Sequence, residues 1–98
     1  MQRGQTIVVT VEFLGHARRL VGRSTHELEI GNDATYGDLL RSLARAFPAL
    51  SDEIIDSSTG SLTPAYTMVR HNLRPVHDFS EHPTPGERVI LMFVEAGG

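Results

Sequence analysis

No cysteine occurs among the 98 residues. That absence removes disulfide staples, thiolate metal ligands and cysteine nucleophiles, so any sulfur this chain handles cannot sit on a side-chain thiol. Long apolar runs are missing too: no stretch approaches the roughly 18 consecutive apolar residues of a membrane-spanning helix. The first residues lack the basic segment, apolar run and small-residue cleavage site of a secretory signal. A cytoplasmic protein with no membrane partner is expected. Strong charge of one sign is also absent. Nine basic and twelve acidic residues leave a formal net charge of -3, whereas nucleic-acid binding calls for concentrated positive charge, so no nucleic-acid partner is expected. Arg18, Arg19 and Arg23 form the one basic cluster, and it reads as a solvated loop.

What remains suits one domain of α+β class. A chain of this length buries roughly 60–65% of its extended surface, enough for one modest core. From Gln5 to Leu14 a period of two places Ile7, Val9, Val11 and Phe13 on one face and Val8, Thr10 and Glu12 on the other, the mark of a strand. A loop with Gly15 and Gly22 is expected next, Ala17 to Val21 extending either neighbouring strand. Ser24 to Ile30 reads as the return strand, with His26, Leu28 and Ile30 inward. Thr35 with Asp38 three residues later is a variant capping box. Leu39, Leu40, Leu43, Ala44 and Phe47 follow at helical spacing, and Pro48 ends the helix.

Ser51 to Ala65 has no clear period; Ile54 and Ile55 are expected to form a short helical turn that plugs the core, and the run SSTGSLTP to form a loop. Tyr66 to His71 is a third strand. A reversal follows around Asn72 and Leu73, with Asn taking the left-handed position, and Pro75 confines the second arm to a sheet edge. Arg88 to Val94 is the last strand, apolar on both faces and therefore central. The first and last strands are expected to pair in parallel at the middle of a mixed four- to five-stranded sheet, with one main helix on one face.

The sequence closes on Val94-Glu95-Ala96-Gly97-Gly98. Two glycines make a thin strip able to enter a narrow channel. The strand-helix-strand order, TYGDLLRSLARAFP, the hairpin VRHNLRPV, PGERVILMF and the closing EAGG resemble the ubiquitin-like sulfur carriers from Ile7 to Gly98. These β-grasp proteins include the small subunit of molybdopterin synthase, the thiamine-pathway sulfur carrier and a carrier used in cysteine synthesis. The resemblance implies that an activating enzyme of the ubiquitin-E1 type, acting as adenylyltransferase and sulfurtransferase, uses ATP to adenylate the Gly98 carboxylate. Sulfur transfer then gives a thiocarboxylate that a synthase consumes, such as the large subunit of molybdopterin synthase. Gly98 would carry the reacting carbonyl and Gly97 would be its slender neighbour. The chain itself would be a carrier and not an enzyme, binding no cofactor stably.

Position suggests Met68, Met92, Phe93, Glu95 and Ala96 as partner contacts on the sheet face away from the helix. Asp78, Glu81, Glu87 and Glu95 are candidates for steering a basic partner. Other constellations are weaker. His71, His77 and His82 with Asp78 match no closed metal-site spacing, and no metal is expected. Ser80, His77 and Asp78 make a triad only on paper, with no nucleophile elbow. Two rivals stay open: a protein modifier of the same fold joined to lysines through Gly98, and an interaction module with an inert tail.

Overall fold

The computed structural model describes residues 5–94. Its elements are β1 (Thr6–Phe13), α1 (Gly15–Val21), β2 (Thr25–Gly31), α2 (Tyr36–Ala46), a 3₁₀ turn (Pro48–Leu50), β3 (Ile55–Asp56), β4 (Ser61–Leu62), β5 (Tyr66–Arg70) and β6 (Arg88–Phe93). The main sheet has four strands in the order β2-β1-β6-β5. β1 is antiparallel to β2, β5 is antiparallel to β6, and β1 runs parallel to β6 with Val11 opposite Val89 and Phe13 opposite Leu91. The expected parallel centre is therefore present. β3 and β4 form a separate two-stranded ribbon, so Ile55 pairs as a strand and not in the expected helical turn, and Ser61–Leu62 pair within the run expected to be loop.

One face of the sheet meets α2. Ile7, Val9, Val11 and Phe13 of β1 share a core with Val89 and Leu91 of β6, Met68 of β5 and Leu39, Leu40, Leu43 and Ala44 of α2. Leu50, Ile54 and Ile55 close it from the side and are fully buried, as their apolar character requires. The helix starts where the sequence places it. The Thr35 hydroxyl accepts from the Asp38 N–H at 3.1 Å, and the Asp38 carboxylate accepts from the Thr35 N–H at 3.0 Å. The next free donors, Tyr36 N–H and Gly37 N–H, reach the carbonyls of Glu81 and Phe79. The first turn is thus satisfied by its cap and by the segment leading to β6.

Two further expectations are corrected. Residues 15–21 form a short helix and not a strand extension, so Arg18 and Arg19 stand on α1 and not in a loop. Ala17 is buried while Leu20 and Val21 pack against the core from the same side, a spacing of three and four that only a helix brings together. In the reversal after β5 the left-handed residue is Leu73, at φ 67°, and not Asn72. Asn72 contributes its side chain, which accepts from the Arg74 N–H at 3.1 Å. The second arm supplies only a bridge between Val69 and Pro75, leaving four strands in the sheet.

Gly60 is held at φ +68°, and a Cβ there would lie 2.9 Å from the Arg41 guanidinium carbon and 3.1 Å from the Gly37 carbonyl oxygen. Backbone strain and a close approach act together at this position. Gly60→Ala is expected to cost about 1–3 kcal/mol, read as a lowered urea midpoint with unchanged slope.

Candidate functional site

β6 runs through the middle of the sheet and carries the chain outward at one end. At that end Leu14 N–H donates to the Leu91 carbonyl at 3.1 Å, and Val94 N–H donates to the Ala65 carbonyl at 2.7 Å. The strand is thus held on the β1 side as far as Leu91 and on the β5 side as far as Val94, the last described residue. Phe93 packs edge-on against Tyr66, with ring centroids 5.6 Å apart. Phe93 nevertheless remains 52% exposed, and Leu14 and Val94 are exposed beside it. These residues make an apolar rim around the end of β6. Glu95, Ala96, Gly97 and Gly98 lie outside the described residues, so the reacting end expected from the sequence has no structural account.

The sheet face away from α2 follows from register. Thr67 and Val69 of β5 lie opposite Met92 and Ile90 of β6, and Glu12 of β1 lies opposite Ile90. Ile90, Met92 and Val69 are half-buried there, and Arg88 bonds Glu12 at its edge through Nη2 at 3.2 Å. This places Met92 on the uncovered face. Met68 belongs to the opposite parity, pairs with Leu91 and is fully buried under α2. Its expected role as a surface contact is corrected: it is core.

The scan against protein families found no matching model, and no curated protein matches the chain. Solved structures do. The HVO 2177 protein of Haloferax volcanii superposes with a TM-score of 0.78 at 28% identity, over 95% of this chain and 88% of its own. SAMP1 of the same organism, a small archaeal modifier protein, gives 0.78 at 24% identity over 93% and 99%. A candidate molybdopterin converting factor, subunit 1, of Pyrococcus furiosus gives 0.74 at 19% identity over 91% and 99%. The chain has the ubiquitin-like β-grasp fold.

The β-grasp domain has no assembled hydrolytic centre among its described residues. Ser80 bonds Asp78 within its own turn, both through the backbone N–H at 2.9 Å and through the hydroxyl. Among the described residues no serine or threonine hydroxyl is hydrogen-bonded to a histidine: His82 bonds the Ala34 carbonyl, His16 bonds Glu53 and His26 contacts Arg23. No three His, Cys, Asp or Glu side chains come together as a metal-ligating group among these residues. No helix among them is long and apolar enough to cross a membrane.

The polar cluster that the sequence did not announce is buried between α2, β5 and the start of β6. Glu87 is only 4% exposed. Its carboxylate accepts from the Tyr36 hydroxyl at 2.9 Å, from Arg70 Nε at 2.8 Å and from the Thr84 N–H at 2.9 Å. Arg70 also lies over the Tyr36 ring, 5.9 Å from its centroid. Burial pushes the Glu87 pKa upward, but the Thr84 N–H, Arg70 and Tyr36 outweigh it and hold the carboxyl below its ordinary range. Burial, together with Glu87, raises the Tyr36 pKa, so that hydroxyl stays a donor. Both carboxylate oxygens have partners, and the cluster reads as a lock. Glu87 is therefore removed from the residues expected to steer a partner, while Asp78 and Glu81 are exposed.

Glu87→Gln leaves Arg70 without its anion and should cost about 2–4 kcal/mol, measured by urea unfolding at pH 7. Because the folded Glu87 pKa is depressed, its contribution is fully present above the unfolded value of about 4.3. It disappears as pH falls through the lower folded value. The stability of Glu87→Gln should accordingly change less than that of the wild type between pH 5 and 3.

Proposed function

We propose that this β-grasp protein is a sulfur carrier whose Gly98 carboxylate is activated as an adenylate and converted to a thiocarboxylate. The observation that supports the reading is the path of β6: a central strand, held on the β1 side as far as Leu91 and on the β5 side as far as Val94, ends beside an apolar rim four residues before Gly98. A free carboxylate is a poor electrophile, and adenylation supplies the leaving group. The partner enzyme must provide the ATP site and the groups that stabilise developing charge. The carrier provides a docking surface and an end of fixed origin. Phe93, with Leu14 and Val94, is suited to the rim of that docking surface, and Met92 with Ile90 and Val69 to its apolar floor, with Glu95 and Ala96 continuing toward the reacting carbonyl. The name of the Pyrococcus furiosus relative points to a molybdopterin synthase as the sulfur-accepting partner. An E1-like adenylyltransferase would be the activating one.

A second reading is favoured by the likeness to a small archaeal modifier. The same adenylate would pass to a lysine of another protein and leave Gly98 in an isopeptide bond. Both readings predict ATP-dependent activation at Gly98; they differ in the acceptor.

Incubation with ATP, sulfide and the cognate activating enzyme should raise the intact mass by about 16 Da as sulfur replaces oxygen. Covalent adducts with other proteins would favour the modifier. An unchanged mass with no adduct would contradict both. Phe93→Ala should weaken binding to the activating enzyme with little change in unfolding midpoint. Met68→Ala, in contrast, should destabilise the domain by about 2–5 kcal/mol.

A further inference from the structure

All nine basic side chains of this sequence are arginine; lysine is absent, as is cysteine. Packing accounts for the choice at some of these positions. Arg88 reaches Glu12 with both Nε and Nη2, Arg70 holds the buried Glu87 while covering the Tyr36 ring, and Arg41 spans Ser57 and Asp38. A planar fork does what a single ammonium cannot. No such reason exists for Arg18, Arg19 and Arg74. All three are exposed, and none makes a side-chain hydrogen bond or ion pair with the described residues. A lysine would serve solubility there equally well. Arg18 and Arg19 stand on α1, which packs against β6 beside the root of the tail, joined to it by the bond from Leu14 to Leu91. Four residues span at most about 14 Å, so an activated Gly98 carbonyl is confined near this basic helix.

From this we infer that the chain is built to be inert toward its own activated end: it presents none of the side-chain amines or thiols that capture activated acyl groups. The inference rests on the proposed activation at Gly98 and holds for both acceptors considered above. In self-capture an amine would attack the carbonyl, forming a C–N bond as the bond to AMP or sulfur breaks. The leaving group departs with its electron pair, and the amine proton passes to solvent base. A guanidinium remains protonated and has no free pair to offer. None of the described hydroxyls is paired with a histidine, and the carboxylates that hold Ser58, Ser80 and Tyr36 are weak bases with pKa values held below the ordinary range, so no hydroxyl is activated as a nucleophile. An acyl group on imidazole hydrolyses and leaves no lasting product. Joined to another protein, the chain would therefore form a single-copy cap, offering no lysine to which a second copy could be added.

The test uses the full chain with its α-amine acetylated and a thioester installed chemically at Gly98, held at pH 8.5 and followed by intact mass. The wild type should yield only the hydrolysed acid. Arg19→Lys should yield amide-linked cyclised monomer or dimer, and Arg74→Lys, which stands beside Arg70 at the other end of the sheet, only dimer, each identified as the tryptic peptide Val89–Gly98 branched on the new lysine. The yield should exceed the wild type's by at least about a hundredfold, because lysine deprotonates at least two pH units below arginine. A wild-type self-product in comparable yield would overturn the inference, and so would lysine variants as unreactive as the wild type. Since the thioester is made without an enzyme, failure of ATP-dependent activation would leave this result standing and would count against the carrier reading alone.

Discussion

The parallel pairing of β1 with β6 is the constraint on which the rest of the molecule depends. Parallel neighbours cannot be joined by a tight turn, so the chain leaves β1, crosses through β2, α2 and β5, and returns to lie beside its own beginning. Both strands then finish at the same end of the sheet. That shared end sets α1, which follows β1, next to the root of the tail, which follows β6. It also fixes which residues surround that root: Leu14 from one side, Ala65 and Tyr66 from the other. The chemistry proposed for Gly98 needs an origin that does not move while the end is handed to a partner, and two flanking hydrogen bonds at the strand terminus supply it.

The start of β6 is held as firmly by different means. Glu87 immediately precedes the strand, and its buried carboxylate joins Tyr36 at the first turn of α2 to Arg70 on β5. The helix N-terminus, one edge strand and the central strand are tied at a single ionic group. Burying a charge is costly unless it is paired and hydrogen-bonded, and here each demand is met. Apolar packing alone would let α2 slide over a sheet face lined with similar aliphatic side chains. The directional bonds at Glu87 select one placement.

Much of this was legible in the sequence because the long elements repeat their pattern often enough. Ile7, Val9, Val11 and Phe13 establish a period of two, and Leu39, Leu40, Leu43 and Ala44 with the Thr35–Asp38 cap establish a helix and its start. Seven residues were too few for α1: Ala17, Leu20 and Val21 give a single helical repeat with nothing after it to confirm the period, and Leu14 makes no side-chain cap bond to announce a helix. Met68 was misread because β5 carries Thr67 and Val69 on one face and Tyr66 and Met68 on the other, so parity alone did not say which face α2 covers. Register against Leu91 decides it. The Glu87 lock joins residues 51 and 17 positions apart, a separation that no local pattern encodes. The reacting tail was read from composition and resemblance, and it remains outside the described residues.

The account separates the fold, described as far as Val94, from the chemistry, assigned to the carboxyl group of Gly98. The most direct measurement compares the chain with and without Gly98 in thermal unfolding and in ATP–pyrophosphate exchange with the activating enzyme. The account predicts superimposable melting and loss of exchange in the shortened chain. Exchange that persists without Gly98, or a shortened chain that melts well below the full one, would contradict it.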